Sequence, residues 1–393
     1  MKGYVFIFFG FFSNMTEVYD KIDAIMMVKS ILEREKPSSI LLVRGNDSYE
    51  ECGARGFIEP QLKGYKVTSL SGFKKSPYIG DIKNTIDVIL GKNIDFIIGV
   101  GGGTVMDISK AASVLYKEEG LLEGYIKGEL KPIGNNIRRL LIPTTAGTGA
   151  EITPFSVVYI DKTKYSLAHP SMSPEYVILA PELTLTLSKK VTASTGCDAL
   201  AQAIEAFWSV NATEESKRYS KEAIYLALNN LSNAVNNPNL EDRTAMLRAS
   251  HLAGKAISIA KTTAAHSLSY PFTSYHDIPH GHAVMLTLPY FFEVNEYVNE
   301  ENIQDKKGFT VEYARRTFDD LLKVLGVKGG AEAKVKLLDL MDDVGLERSL
   351  GKLGVNKNDF QNIVNNGFNP QRVVNNPVKI TEGTVWEILE KIL

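Results

Sequence analysis

Up to about Leu183 the chain alternates short apolar runs with segments of helical periodicity, and beyond it almost every segment is helical. Val5 to Phe9, Ile40 to Val43, Phe96 to Val100 and Leu140 to Pro143 read as strands. Between them Thr16 to Arg34, Asp81 to Leu90 and Val105 to Tyr116 read as helices, the alternation that a parallel α/β sheet requires. After the Pro-punctuated HPSMSPEYVILAPEL, helices are expected over Lys189 to Val210, Ser216 to Val235, Glu241 to Ile259 and Thr310 to Leu325. The expected architecture is a Rossmann-like α/β N-terminal domain, residues 1–185, followed by an all-α C-terminal domain, residues 186–393. With 393 residues, 44% of them hydrophobic, each half is long enough to bury a core of its own. Parallel sheets bind ligands at the carboxyl ends of their strands, and clefts between domains favour active sites.

The net charge of -2, with acids and bases interspersed, leaves no electrostatic footprint for nucleic acid or an anionic membrane, so small molecules are the expected partners. The two cysteines, Cys52 and Cys197, form no CxxC pair, which argues against a disulfide framework and fits a cytoplasmic protein. The apolar start MKGYVFIFFGFF is too short to span a bilayer, lacks a small-x-small cleavage site and reads as a buried first strand.

Two turns point to a nucleotide. GGGTVMDISK, Gly101 to Lys110, follows the strand DFIIGV and opens a helix whose N–H groups can hold pyrophosphate oxygens. It is neither GxGxxG nor a Walker A loop. PTTAGTGAEIT, Pro143 to Thr153, follows the next strand, and its threonines could meet a ribose or an amide. In LLVRGND the second strand ends on Arg44 and Gly45, where a carboxylate would hold the ribose of NAD. NADP(H) is therefore expected over NAD(H), with Arg44 near the 2′-phosphate and Asp47 close enough to leave NAD open.

The second half carries the candidate metal ligands. HSLSYPFTSYHDIPHGH, His266 to His282, holds four of the six histidines. In TGCDALAQAIEAFWS, Asp198, Gln202, Glu205 and Ser209 form a polar stripe, which the helix alone would assign to a solvent-facing side.

GGGTVMDISK, PTTAGTGAE, TGCDALAQAIEAFWS and the histidine stretch, in this order and at these separations, resemble the iron-containing (group III) alcohol dehydrogenase family. The resemblance covers essentially the whole chain, including IFFGFFS and the late NNPVKIT. It implies a dinucleotide-binding domain, a helical domain and one divalent metal, Fe2+ or Zn2+ foremost, held by one Asp and three His. On matching positions the Asp is Asp198, and the His pair fourteen residues apart is His266 and His280. The third histidine is replaced by Gln202, which could ligate directly, through water, or not at all. Where many members carry a further His for proton transfer, this chain has Tyr270.

The same resemblance implies that Gly101, Gly102, Gly103 and Thr104 hold pyrophosphate, and that Thr144, Thr145, Thr153 and Lys164 contact the nicotinamide half. Asp107 would pin the glycine loop. Gly45 stands where the family's Asp usually follows the second strand, in keeping with NADP(H). The expected reaction is reversible reduction of a small aldehyde to a primary alcohol. DKTKYSLAHPSMSP, and Gln202 combined with SYPFTSYHDIPHGHAV, resemble a branch associated with phosphonoacetaldehyde reduction to 2-hydroxyethylphosphonate. Lys164, His169 and His276 are candidates for its anionic head group, and His282 is expected to be structural. A general short-chain alcohol dehydrogenase, a dehydroquinate synthase-like lyase and an inactive binding homologue are the alternatives. A homodimer is the expected assembly.

Overall fold

The computed structural model describes residues 6–7, 16–131, 136–161, 163–368 and 370–393. They divide into two units, Met1–Thr145 with Gly149–Leu187, and Ala146–Thr148 with Ser188–Leu393.

The first unit is built on strands β1 (Phe6–Ile7), β2 (Glu17–Tyr19), β3 (Ile40–Arg44), β4 (Val67–Leu70), β5 (Phe96–Gly101), β6 (Arg138–Pro143), β7 (Phe155–Ile160), β8 (Thr163–Ala168) and β9 (Tyr176–Ile178). Seven form one sheet in the order β1-β2-β9-β6-β5-β3-β4, parallel throughout except where β1 meets β2. β7 and β8 make a separate antiparallel hairpin. The central strands are uninterrupted apolar runs because both of their faces are covered. Leu41, Val43, Ile97 and Leu141 point to one face and pack with Ile82, Ile86 and Ile108. The alternate residues Ile40, Leu42, Phe96, Ile98, Leu140 and Ile142 pack with Ile25, Val28 and Ile31 on the other.

Register places the functional turns together. Arg44 pairs with Val100, and Gly101 with Pro143, so the carboxyl ends of β3, β5 and β6 lie side by side. Gly45 N donates to Val100 O at 3.1 Å and Thr144 N to Gly101 O at 2.9 Å, which ties the three exits to one sheet edge.

The N-terminal expectation needs correction. The segment read as a helix from Thr16 begins as β2, and the α-helix starts only at Met27, after a short 3-10 turn at Ala24–Met26. Val18 and Tyr19 pair with Val177 and Ile178 of β9, so a partner far along the chain overrides local periodicity. Of the strand expected over Val5 to Phe9, Phe6 and Ile7 pair with Val18 and Glu17; the other three lie outside the described residues.

The second unit is helical. Its principal helices are Lys189–Trp208, Glu214–Asn236, Leu240–Ala260, Ala264–His276, His280–Glu296 and Val311–Leu325. Side chains of Ser188, Thr213, Asn239 and Thr310 accept from backbone N–H groups at four of their starts. The Lys189–Trp208 helix is buried nearly all round from Thr192 onward, packed by the two helices that follow it and by His280–Glu296. No helix among the described residues is long and apolar enough to cross a membrane.

Candidate active site

Burial of the Lys189–Trp208 helix decides what its polar stripe does. Asp198, Gln202, Glu205 and Ser209 are all buried, so the stripe lies inside the protein and not on the solvent-facing side that the helix pattern alone would suggest. Each polar atom must then find a partner inside the protein. His266 comes from the first turn of Ala264–His276, and His280 opens the next helix.

Gly281 makes their convergence possible. A Cβ at this position would lie 1.9 Å from Ser194 O and 2.7 Å from Asp198 Cβ, so only glycine lets the His280 helix start against the Asp198 helix. His266 Nε2 lies 3.3 Å and His280 Nε2 4.0 Å from Asp198 Oδ1. One donor atom from each of the three residues falls within 4.8 Å of the others. Donors about 2.0–2.2 Å from a common ion stand at spacings of this order.

The imidazoles are oriented from behind. His266 Nδ1 is bonded to the Glu205 carboxylate. Ser269 Oγ donates to His266 O at 2.8 Å and lies 3.3 Å from His280 Nδ1, so its remaining lone pair can accept that N–H. Both rings thus turn Nε2 toward Asp198. Burial opposes protonation of His266, but the carboxylates of Glu205 and Asp198 outweigh it and hold its pKa at about 9. An ion taking Nε2 would displace that proton.

Gln202 lies one helical turn beyond Asp198, and its carbonyl oxygen is buried without a hydrogen-bond partner. An amide oxygen left this way costs about 1–3 kcal/mol, a cost that coordination to a cation removes. One carboxylate, two imidazoles and an amide oxygen form a donor set that suits Fe(II), Zn(II) or Mn(II), so the residues fit the metal their pattern implies.

The other histidines are placed differently. His282 Nε2 donates to Glu347 O at 2.6 Å, a structural bond. His276 sits two to three turns along the His266 helix with Nε2 buried and unpartnered. His169 caps a short turn, its Nδ1 accepting from Ser171 N at 3.2 Å. The Tyr270 ring stacks against His280 at 6.4 Å and 17°.

At the sheet edge of the first unit, the Gly103–Leu115 helix starts after Gly102 with neither a side-chain cap nor an acidic residue in its first turn, leaving N–H groups for an anion. Thr104 Oγ1 donates to Lys75 O at 2.6 Å. Thr145 flanks Gly102, whose added Cβ would meet Thr145 Oγ1 at 3.5 Å. Arg44 donates through Nε to Ser69 Oγ at 3.0 Å and stacks its guanidinium 5.0 Å over Tyr49. Asp47 is exposed at the start of the next helix. Lys164 lies on β8, and its charge offsets only part of the burial that raises the Asp107 pKa.

Lys110, at the end of the GGGTVMDISK motif, had no role expected from the sequence. It is fully buried and donates to Ala150 O at 2.7 Å, to Thr153 Oγ1 at 3.1 Å and to Phe155 O, with Asp107 Oδ1 at 3.2 Å. Burial pushes the lysine pKa down and the aspartate pKa up. Asp107 therefore serves Lys110 and the backbone of β7 rather than pinning the glycine loop. The Thr153 hydroxyl, expected at the nucleotide, is buried in the same cluster.

Comparison with known proteins places this geometry. Residues 16–181 match the family profile described as iron-containing alcohol dehydrogenase, and residues 192–393 match that of the C-terminal part of the Fe-containing alcohol dehydrogenase family. The chain belongs to the iron-containing alcohol dehydrogenase family. It is accordingly an oxidoreductase of a family that works with NAD(P) and a divalent metal. A phosphonoacetaldehyde reductase of Streptomyces viridochromogenes is 36% identical over 59% of this chain, an alignment that spans 60% of that enzyme. A sulfoacetaldehyde reductase of Bilophila wadsworthia is 32% identical over 87% of this chain and 86% of its own length. Among solved structures, sulfoacetaldehyde reductase from Bifidobacterium kashiwanohense in complex with NAD+ superposes with a TM-score of 0.87 at 28% identity, covering 97% of this chain and 98% of that one.

Proposed function

We propose that this family member reduces phosphonoacetaldehyde to 2-hydroxyethylphosphonate with NADPH as the favoured hydride donor. The observation that carries the reading is the convergence of Asp198, His266 and His280, with the buried, unpartnered oxygen of Gln202 one helical turn from Asp198 on the same helix. These four residues would hold the metal. A divalent ion bound there would supply Lewis-acid polarisation of an aldehyde oxygen, and a bound nicotinamide would supply the hydride.

The chain's own residues do the rest. Glycines 101–103, Thr104 and the uncapped helix start would bind pyrophosphate, with Thr144 and Thr145 beside them. Arg44, held by Ser69 and stacked on Tyr49, would meet a 2′-phosphate, and Gly45 offers no carboxylate to repel it. Tyr270, stacked on His280, is the chain's own candidate for moving a proton to the product oxygen. Lys164, His169 and His276 are the candidates for an anionic head group; of these His276 retains a buried nitrogen without a partner.

The substrate assignment rests on the 36% identical phosphonoacetaldehyde reductase. Sulfoacetaldehyde is the second reading, because the sulfoacetaldehyde reductase aligns over 87% of this chain and its substrate is likewise a short aldehyde with an anionic group. The test is anaerobic reconstitution with Fe2+, Zn2+, Mn2+ or Ni2+ singly, followed by NADPH and NADH oxidation with phosphonoacetaldehyde, sulfoacetaldehyde and uncharged short-chain aldehydes. Phosphonoacetaldehyde with NADPH is expected to give the highest kcat/KM. Turnover by metal-free protein would overturn the metal assignment, and a preference for NADH or for uncharged aldehydes would overturn those parts.

A further inference from the structure

Glu205 is a charged side chain at 0% exposure, placed seven residues beyond Asp198 on the same helix. Its Oε1 accepts from Thr263 Oγ1 at 2.6 Å, from Ala265 N at 2.9 Å and from His266 N at 3.4 Å. Its Oε2 is spent on His266 Nδ1. Thr263 Oγ1 in turn accepts from Trp208 Nε1 at 3.0 Å, so a buried relay runs from Trp208 through Thr263 and Glu205 to His266. The far nitrogen of that ring is the one facing Asp198.

We propose that Glu205 is a positioning residue for the metal: by taking the N–H of His266 Nδ1 it fixes the tautomer in which Nε2 offers a lone pair to the ion. The inference rests on the reading of Asp198, His266 and His280 as metal ligands and adds a residue that touches neither metal nor substrate. Two arguments support it. The first is charge. Gln202 is neutral, as are two imidazoles, so a divalent ion here is matched by two carboxylates, Asp198 directly and Glu205 through the ring. His280 Nδ1 lies 3.3 Å from the neutral Ser269 hydroxyl, whereas His266 Nδ1 is bonded to the Glu205 carboxylate.

The second argument is the division of labour between the two oxygens. Oε1 alone satisfies the amides of Ala265 and His266 and so caps the start of the helix, which has no side-chain cap of its own. A purely structural role would need nothing more. Oε2 on Nδ1 is the surplus, and Glu205→Gln separates the two. The amide keeps an acceptor for the cap and sets an N–H₂ against Nδ1. That contact favours the tautomer with its proton on Nε2, which blocks the metal.

The test titrates Co2+ into the full-length metal-free protein against a competing chelator, reading both affinity and the visible d–d spectrum, with thermal unfolding of each metal-free variant as control. Glu205→Gln is expected to weaken Co2+ binding about 10–100-fold and to change the spectrum; it also removes a buried ion pair with His266 and lowers the metal-free Tm, so affinity is read at a temperature where each metal-free variant is fully folded. Thr263→Val, which removes one anchor of Glu205 without touching it, should give a smaller loss in the same direction. Glu205→Asp, which keeps the charge, should recover part of the affinity. Glu205→Gln and Thr263→Val proteins that bind Co2+ as tightly as wild type, with the same spectrum, would overturn the inference alone. A wild-type protein that binds no Co2+ would overturn both it and the metal reading beneath it.

Discussion

An amide oxygen in place of an imidazole nitrogen changes what position 202 does for the metal and for the fold. Gln202 Oε1 is buried and unpartnered, so under the proposed ligation the metal-free protein would bear its desolvation and the loaded protein would not. Gln202→Ala should therefore leave the metal-free Tm within a few degrees of wild type, because a lost orphan offsets a small cavity. Metal affinity should fall about tenfold, the equivalent of about 1.4 kcal/mol for one neutral donor. Chelator competition checks this, and unchanged affinity would remove Gln202 from the ligand set. Asp198, His266 and His280 were legible in the sequence because their types and spacing resemble a family pattern. Glu205 was not. Its place in the polar stripe gave it no role, and nothing local shows that this helix is enclosed on nearly all sides.

Between helices, the contact that matters most is the one at Gly281. The His280 helix begins within van der Waals reach of the Asp198 helix, and even a methyl group there meets Ser194 O at 1.9 Å. Gly281→Ala should push His280 off Asp198, lowering metal affinity and turnover at least tenfold while the remaining helices stay folded; circular dichroism with a metal titration checks both. A variant with native affinity would show that the helix start can shift without cost. Strands were legible in proportion to how local their cause is. β3, β5 and β6 announce themselves as apolar runs, whereas β2 and β9 are short strands defined by pairing with each other across the sheet. The β7–β8 hairpin went unread, its alternating pattern hidden behind the threonine-rich turn before it.

On the scale of the whole molecule, two units with separate cores divide the chemistry. The expected nucleotide contacts fall in the α/β unit, and the metal cluster falls in the helical one. The succession of an α/β half and a helical half was legible because strand and helix alternation stops where the Pro-rich segment ends. What the sequence did not reveal was how the α/β unit holds its second turn, since a lysine in a helix reads as surface until its burial is known. Lys110 is sealed at 0% exposure, its ammonium surrounded by Ala150, Thr153, Phe155 and Asp107. A covalent reporter follows from this. Amine-acylating reagents that modify exposed lysines within minutes should reach Lys110 only when its unit opens, so peptide mass spectrometry of its labelling rate would serve as a clock for that opening. An NAD(P) dinucleotide that binds the closed unit should slow the clock, whereas rapid acylation of the native protein would contradict the burial.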